Sequence, residues 1–312
     1  LGAQAADQDL REQAHALFDP LPETMPGAEK DSKAEVALGK DLYFEKKLSA
    51  NETQSCNTCH RLDGGRAGDD GKPVSPGAKD GRFGNRNAPT TINAGLHVAQ
   101  FWDGRAEDLK AQAKGPILNP KEMAMSSKGD VVQRIRNTGD YAQRFETVFA
   151  DRGVTYDTIA EAIAAYERTL ISEDRFDAWL EGDDQALTKK EKRGLKAFMD
   201  TGCASCHNGA LLGGTSYQKM GVVEPYENTE DVGRMKVTGK ETDKYVFKVP
   251  TLRNVALTDP YFHDGAVSSL KEAVRKMGAL QLGRDLDNRT VNEIVAFLKT
   301  LNKKDSQNFA KN

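Results

Sequence analysis

The sequence predicts an all-α protein made of two copies of one helical unit. Apolar residues recur at helical spacing after Ser/Thr-x-x-Glu motifs, a pattern typical of helix N-termini. A second set of motifs occurs twice along the chain with one constant offset. Alternation typical of a strand is absent apart from a short piece at Lys244–Val249. The length of 312 residues agrees with about two domains of roughly 150 residues each.

The predicted helices begin at capping boxes and continue as apolar stripes. The capping boxes are Ser32 to Glu35, Thr188 to Glu191, Ser269 to Glu272 and Thr290 to Glu293. The stripes, which we assign to core packing, are Ile159, Ala162, Ile163, Tyr166 and Leu170; Leu195, Phe198 and Met199; and Ile294, Phe297, Leu298 and Leu301. Long polar stretches at Gly64–Asn87 and Gly209–Thr242 separate the helices. Loops of this length are unusual in a compact domain unless they serve a site.

The four cysteines occur in two C-x-x-C-H motifs. Cys56 and Cys59 precede His60, and Cys203 and Cys206 precede His207. In such a motif two thiols attach a c-type haem covalently and the adjacent histidine ligates the iron. The sequence therefore predicts two covalently bound haem c groups, each wrapped by one of the long polar stretches.

Other interpretations of the cysteines fit less well. A zinc site would pair two C-x-x-C knuckles roughly 15–20 residues apart, whereas 143 residues lie between Cys59 and Cys203. A thioredoxin-like site would need a βαβ pattern, which is not visible. Four cysteines in 312 residues are too few for a disulfide scaffold.

Composition excludes other classes of protein. The net charge is −3 with both signs interspersed, so no nucleic-acid footprint is present. No run approaches 18 apolar residues, so no membrane span is predicted. Covalent haem attachment predicts a periplasmic location, and residues 1–10 lack a signal-peptide pattern. We therefore expect that any export signal has already been removed.

An internal repeat defines the two units. Pro89–Asn93 (PTTIN) matches Pro250–Asn254 (PTLRN), and Phe101–Gly104 (FWDG) matches Phe262–Gly265 (FHDG), both with an offset of 161 residues. Each copy thus contains one haem motif, one P-T-x-x-N stretch and one F-x-D-G stretch.

The domain boundary is expected within Leu170–Gly182. We predict a first haem domain at 21–172 and a second at 173–312. The N-terminal segment 1–20 is expected to pack on the second domain.

The repeat distinguishes the two haems by their second iron ligand. Met277 follows the second F-x-D-G stretch at the end of a short helix, and methionine commonly ligates cytochrome iron opposite histidine. The offset carries Met277 back to Pro116, which has no atom that can ligate iron. Met220 and Met235 are weaker candidates, and core packing is the alternative role of Met277. The first haem is therefore predicted to be five-coordinate.

Two polar residues near this proline could serve an open haem. Glu122 has no counterpart of similar chemistry, since the offset carries it to Gly283. A carboxylate over the open face could move the protons of bound peroxide. Alternatively, Glu122 is a solvated acidic residue of the surface, and Gln112 is a surface amide.

Trp102 is the aromatic residue that the first copy has in place of His263. It could lie between the haems and assist electron transfer. Core packing is the alternative, because tryptophan is mostly buried in proteins.

Together these residues resemble the bacterial dihaem cytochrome c peroxidase family. The resemblance runs from about Ala34 to Leu301. Its most specific stretches are Arg86–Thr90 (RNAPT), Ala99–Ala106 (AQFWDGRA), Gln112–Pro116 (QAKGP) and Tyr261–Gly265 (YFHDG).

The resemblance implies two cytochrome-c-like domains, a homodimer, and reduction of hydrogen peroxide to water. The electrons would come from a small cytochrome c or cupredoxin. It implies that His60 ligates the peroxidatic, low-potential haem, with Gln112 and Glu122 as the glutamine and glutamate of the peroxide pocket.

The resemblance assigns further roles outside this pocket. Trp102 corresponds to the inter-haem tryptophan, and His207 and Met277 correspond to the ligands of the high-potential haem. A calcium ion between the domains is also implied. Its protein ligands would be Asn87 and the backbone carbonyls of Thr258 and Pro260; ligation by oxygen alone suits calcium.

One loop departs from the family pattern. Many members have a histidine before the RNAPT stretch that caps the peroxidatic iron at rest, whereas Ser75–Gly84 contains none. The position of that family histidine corresponds to Ala78 or Lys79 in this sequence. Either this member needs no reductive activation, or the histidine has been replaced, or another residue caps the iron. Lys79 could ligate iron only when deprotonated, which an exposed loop disfavours.

Two other functions are weighed against peroxide reduction. A non-catalytic dihaem electron carrier would need two six-coordinate irons, and Pro116 argues against the second ligand at the first haem. A relative that oxidises side chains of a partner protein has tyrosine in place of the distal methionine, whereas Met277 is present here.

Overall fold

Helices joined by long loops make up most of the fold. The computed structural model describes residues 2–303 and residue 309; residues 1, 304–308 and 310–312, at the ends of the predicted domain ranges, lie outside the described residues. No helix in these ranges is long and apolar enough to cross a membrane.

The α-helices are α1 (Gly2–His15), α2 (Lys33–Phe44), α3 (Cys56–Cys59), α4 (Leu109–Leu118), α5 (Lys128–Arg136), α6 (Tyr141–Phe149), α7 (Tyr156–Glu167), α8 (Arg175–Leu180), α9 (Lys189–Thr201), α10 (Met235–Thr238), α11 (Leu270–Leu282) and α12 (Asn288–Leu298). Short 3₁₀ turns lie at Ala28–Lys30, Lys46–Leu48, Ala94–Leu96, Ala150–Arg152, Cys203–Ser205, Glu241–Asp243, Val255–Leu257 and Lys299–Leu301. The strands β1 (Tyr217–Lys219) and β2 (Val246–Lys248) pair antiparallel.

Most of the predicted helix starts are confirmed. The hydroxyls of Ser32 and Thr188 accept the N–H groups of the residues three positions later and cap α2 and α9. Ser269 precedes α11, although its side chain makes no capping bond. The predicted start at Thr290 is wrong, because the Asp287 carboxylate accepts the Thr290 N–H and α12 begins at Asn288.

Two further details differ from the sequence-based expectation. The predicted strand exists as β2, but its partner β1 lies inside the polar stretch where no strand was expected. Met277 does not end a short helix, since α11 continues to Leu282.

The buried apolar residues form two large clusters. One comprises side chains of α2, α4, α5, α6 and α7 with the segments between them, including Ile159 and Ile163 of the first stripe. The other comprises side chains of α8, α9, α11 and α12, including Leu195 and Ile294. Leu10, Ala14 and Phe18 of the N-terminal segment lie in this second cluster.

Each cluster contains a close helix crossing at a glycine. A Cβ atom on Gly39 of α2 would lie 1.8 Å from the Ala162 carbonyl oxygen of α7. A Cβ atom on Gly194 of α9 would lie 1.9 Å from the Glu293 carbonyl oxygen of α12. In each case the first helix leads to a haem motif and the second closes the unit, so both crossings require glycine.

The repeat is visible in the backbone. Asn93 and Asn254 have left-handed φ angles of 61° and 62°. Both side-chain amides donate to the hydroxyl of Ser172, at 3.3 Å and 2.8 Å. Ser172 and both asparagines are fully buried. The two copies thus meet at one buried hydrogen-bond junction.

We expect Gly39→Ala to destabilise the protein, because the added methyl group would overlap backbone atoms that cannot rotate away. Overpacking of this kind costs about 1–3 kcal/mol. Gly129→Ala is the matched control, since its Cβ would lie 3.6 Å from its nearest neighbour, Ser127 Oγ. The midpoint of thermal unfolding, followed by circular dichroism, should fall for Gly39→Ala only. Equal midpoints for the two variants would contradict the requirement for glycine.

Candidate haem sites

Both motif histidines are held by backbone carbonyls. His60 Nδ1 lies 3.0 Å from the Gly68 oxygen and 2.9 Å from the Pro89 oxygen. Carbonyls only accept, so Nδ1 carries the proton and Nε2 keeps its lone pair. This is the tautomer that an iron ligand needs.

The second histidine has the same arrangement. His207 Nδ1 lies 3.0 Å from the Leu212 oxygen and also bonds to the Pro250 carbonyl. Pro250 is the repeat counterpart of Pro89. Burial lowers the pKa of His207, which keeps the imidazole neutral and available to a metal.

The cysteines lie on single turns of helix. Cys56 and Cys59 are the two ends of α3, and three-residue spacing on a helical turn brings both side chains to one face. Burial raises the pKa of both thiols, to about 11 for Cys59. Neutral buried thiols argue against a thiolate nucleophile or a thiolate metal ligand at this motif. Among the described residues no cluster of three His, Cys, Asp or Glu could hold a metal ion by itself.

A cavity of about 240 Å³ adjoins the second motif. It is lined by Cys203, Cys206, His207 and Met277 with apolar residues that include Phe198, Ile294 and Leu298. Met220 also lines it, whereas Met235 does not. An apolar cavity with two thiols and one imidazole fits a covalently bound haem.

Glu122 lies beside the first motif, in the turn that follows α4. The charge of Arg105 acts on its carboxylate, and a hydrogen bond joins it to the Asn119 side chain. The Glu122 charge in turn acts on the Cys59 thiol of the motif. Burial is the largest influence and raises the pKa of Glu122, while Arg105 and Asn119 lower it in part. Glu122 therefore lies near the first motif, and its role at a haem stays a prediction.

Gln112 and Pro116 both lie on α4. Gln112 is half-buried, and its side-chain amide has no hydrogen-bond partner among residues 2–303 and 309. Pro116 follows one turn later inside the same helix. The Pro116 oxygen accepts the N–H of Met123, which fixes the turn that carries Glu122.

The loop without histidine packs against Glu122. The Ala78 N–H donates to the backbone carbonyl oxygen of Glu122 at 2.7 Å, and Asn51 Nδ2 donates to the backbone carbonyl oxygen of Ala78. Ala78 is buried and Lys79 is exposed. The buried position therefore carries a methyl group, which offers no ligand to iron.

Trp102 lies where the two units touch. Its Nε1 donates to the Asn87 oxygen at 2.9 Å, and its ring centroid lies 6.4 Å from that of His263. The Trp102 oxygen accepts the Lys248 N–H of β2. Its side chain also lines the cavity of the second motif, so it faces the second haem site.

The expected calcium ligands occur in one region. Asn87, Thr258 and Pro260 all line the cavity beside the second motif. Asn87 Nδ2 donates to the Lys72 oxygen at 3.0 Å, and Oδ1 has no hydrogen bond within the described part of the chain. An amide oxygen left unbonded beside two backbone segments fits a calcium ligand set.

Sequence reasoning missed Arg105. Its guanidinium carbon lies 3.5 Å from the Phe101 ring centroid, and it pairs with the Asp103 carboxylate at 3.0 Å. Comparison of the two repeat copies could have identified Arg105, because the offset of 161 residues carries it to Ala266, which is uncharged. Arg105 and Glu122 are thus both specific to the first unit.

The chain is similar to known proteins of one family. Residues 33–185 match the family described as di-haem cytochrome c peroxidase. The chain is 51% identical to cytochrome c551 peroxidase of Nitrosomonas europaea, over 85% of this chain and 78% of that protein. It is 47% identical to cytochrome c551 peroxidase of Pseudomonas aeruginosa, over 95% and 87%. The chain belongs to the di-haem cytochrome c peroxidase family.

Solved structures agree with this family. A MauG-like protein associated with microbial copper homeostasis superposes with a TM-score of 0.80 at 29% identity, over 92% of this chain and 94% of that one. Membership implies haem c as the cofactor of both C-x-x-C-H motifs.

Replacing both cysteines of one motif should remove one haem and leave the other. We expect Cys203→Ala with Cys206→Ala to halve the haem content per chain, because neither thioether can form. The matching pair, Cys56→Ala with Cys59→Ala, should give the same ratio. Pyridine haemochrome absorbance and intact mass measure it. Two haems retained on either variant would contradict the assignment.

Proposed function

We propose that this di-haem peroxidase reduces hydrogen peroxide to water at the haem of the Cys56–His60 motif. Electrons would enter through the haem of the Cys203–His207 motif, whose iron would also be ligated by Met277. The observation that carries the proposal is the half-buried Glu122 carboxyl near the Cys56–His60 motif, in the unit that has Pro116 where the other has methionine.

The haems supply the iron that binds peroxide and carries the two electrons. Each turnover combines one hydrogen peroxide, two protons and two electrons into two waters. Glu122 takes the proton from the inner peroxide oxygen and returns it to the outer one, which leaves as water. A raised pKa suits a group that must both accept and donate a proton near neutrality.

The other residues near Glu122 would orient the peroxide, modulate the pKa of Glu122 or hold its backbone in place. Gln112 has a free amide on the same helix as Pro116 and can bond to a bound peroxide. Arg105 holds positive charge near Glu122 and limits the rise of its pKa. The Ala78 N–H bonds to the Glu122 backbone oxygen, and the Ala78 methyl group could not ligate the first iron.

Further parts of the proposal rest on the family resemblance. We infer two cytochrome-c-like haem domains, 21–172 and 173–312, with segment 1–20 on the second. We also infer electron transfer past Trp102, a homodimer, a periplasmic location and a small cytochrome c or cupredoxin as donor. Calcium would be bound by Asn87, Thr258 and Pro260.

An electron carrier without catalysis is less well supported. It would need a sixth ligand at the first iron, and neither Pro116 nor Ala78 has a side-chain atom that ligates iron. Rapid reoxidation of the half-reduced protein by added peroxide supports the peroxidase, whereas indifference to peroxide supports the carrier.

Glu122→Gln should keep both haems and lower turnover by about 10²–10⁴-fold, the usual contribution of a positioned acid–base group. Glu107→Gln, at an exposed glutamate of the first unit, is the control and should retain wild-type turnover. Steady-state peroxide reduction measures both. Unchanged turnover in Glu122→Gln would remove its role.

The pH profile should report the same group. Because the pKa of Glu122 is raised, the carboxylate needed to accept a proton is lost as pH falls through a value above the ordinary glutamate pKa of about 4.3. The acid limb of kcat/KM should therefore lie above that value in the wild type. It should be absent from the residual rate of Glu122→Gln, and an identical limb in both proteins would assign it elsewhere.

The fully oxidised protein should already be competent. With Ala78 at the buried loop position, we expect a high-spin first haem and peroxide reduction without prior half-reduction. Electron paramagnetic resonance of the oxidised protein and the first seconds of turnover test this. A purely low-spin spectrum with a lag that half-reduction abolishes would contradict it.

A further inference from the structure

Lys248 is a buried lysine without an ion pair, and burial lowers the pKa of its amino group to about 7. It lies on β2 with 6% of its surface exposed, and its backbone N–H is fixed to the Trp102 oxygen at 2.8 Å. No carboxylate forms a salt bridge with it among residues 2–303 and 309. The charge of Asp103 acts on it, but the Asp103 oxygens are engaged by Arg86 and Arg105.

The partner of Lys248 is a histidine from the other unit. Lys248 Nζ lies 2.6 Å from His97 Nδ1. Burial and the charge of Lys248 hold the pKa of His97 well below its ordinary value, so the imidazole is neutral and accepts at Nδ1. Its proton must then be on Nε2. That atom is shielded from solvent and has no hydrogen-bond partner among the described residues.

The backbone fixes this histidine in place. The Val98 N–H donates to the Gly214 oxygen at 2.9 Å, and a Cβ on Gly214 would lie 3.0 Å from the His97 ring. The Lys248–His97 pair is therefore held in place by backbone contacts where the two units meet. It presents an ammonium group and an imidazole N–H with no anion to receive them. Such a pair is costly to bury unless an anion joins it.

Both side chains line the cavity beside the second haem motif. The rest of that lining is largely apolar. A haem has two propionate carboxylates as its only anionic substituents, and they are the anions that would enter this cavity with it. We propose that Lys248 and His97 bind the two propionate carboxylates of the haem attached at Cys203 and Cys206, one carboxylate at the Lys248 amino group and the other at the His97 Nε2–H. This rests on the proposed second haem, and it is independent of peroxide reduction at the first.

The consequence is electrostatic. A cation held beside the second haem favours its reduced state, which carries one positive charge fewer than the oxidised state. The burial of Lys248 strengthens this effect, since charges interact more strongly in a low-dielectric interior. Because His97 belongs to the first unit and Lys248 to the second, the contact between units sets part of the potential of the second haem.

Lys248→Met should lower the midpoint potential of the Met277-ligated haem, measured by spectroelectrochemical titration. Lys248→Arg should preserve most of the wild-type potential, because it keeps the charge. Lys236→Met removes an exposed lysine that does not line the cavity and should leave the potential unchanged. Haem content is measured first on every protein. Absence of the second haem from the wild type would overturn the proposed function rather than this inference.

A spectroscopic readout separates propionate binding from a general electrostatic effect. The propionate bending mode in resonance Raman spectra shifts when its hydrogen bonds change. It should shift in Lys248→Met and in His97→Gln but not in Lys236→Met. If Lys248→Met fails to retain its haem, Lys248→Arg and His97→Gln carry the test by the same two measurements. An unchanged potential and an unchanged propionate mode, with both haems present, would overturn the proposal.

Discussion

The hydrogen bond from His60 Nδ1 to the Pro89 oxygen is the contact on which both sites depend. It fixes the tautomer of the first iron ligand. Pro89 also lines the cavity beside the second motif, and two residues earlier the Asn87 oxygen accepts Trp102 Nε1. The Asn87 N–H donates to the His263 oxygen of the other unit. One short stretch of backbone thus touches both sites, so their spacing follows from covalent geometry rather than from the docking of two separate bodies.

The two units show how one scaffold supports two chemistries. Backbone features recur at the same offset: Pro89 and Pro250 each supply a carbonyl to a motif histidine. The copies differ in side chains of opposite chemistry. Glu122, Arg105 and Pro116 occur where the second copy has glycine, alanine and methionine. Methionine can ligate iron and proline cannot, and a half-buried carboxyl near a cation can transfer protons that a glycine cannot.

The sequence predicted what local chemistry determines. Capping at Ser32 and the haem motifs are each recognised within a few residues, and the repeat is recognised from one constant offset of 161 residues. The start of α12 was misplaced because Asp287 competes with Thr290 for the same N–H, and only the folded backbone decides between them. The Lys248–His97 pair could not be predicted, because it joins residues 151 positions apart from different units. The residue types gave no hint, since a lone lysine or histidine is most often a solvated side chain.

The departure at the Ser75–Gly84 loop follows from the same reasoning about contacts. Histidine capping would require this loop to release the first iron, and release requires its hydrogen bonds to break. Here Gln54 Nε2 donates to the Pro76 oxygen at 2.8 Å, Gly84 N–H donates to the Ser75 oxygen at 2.9 Å, and Ala78 is bonded on both sides. Because the Ala78 side chain cannot ligate iron, breaking these hydrogen bonds would release no iron ligand. The loop is thus fixed to neighbouring segments at Pro76 and Ala78, and one of these contacts is the backbone of Glu122, so a change in the loop would be transmitted to the turn that carries this carboxyl.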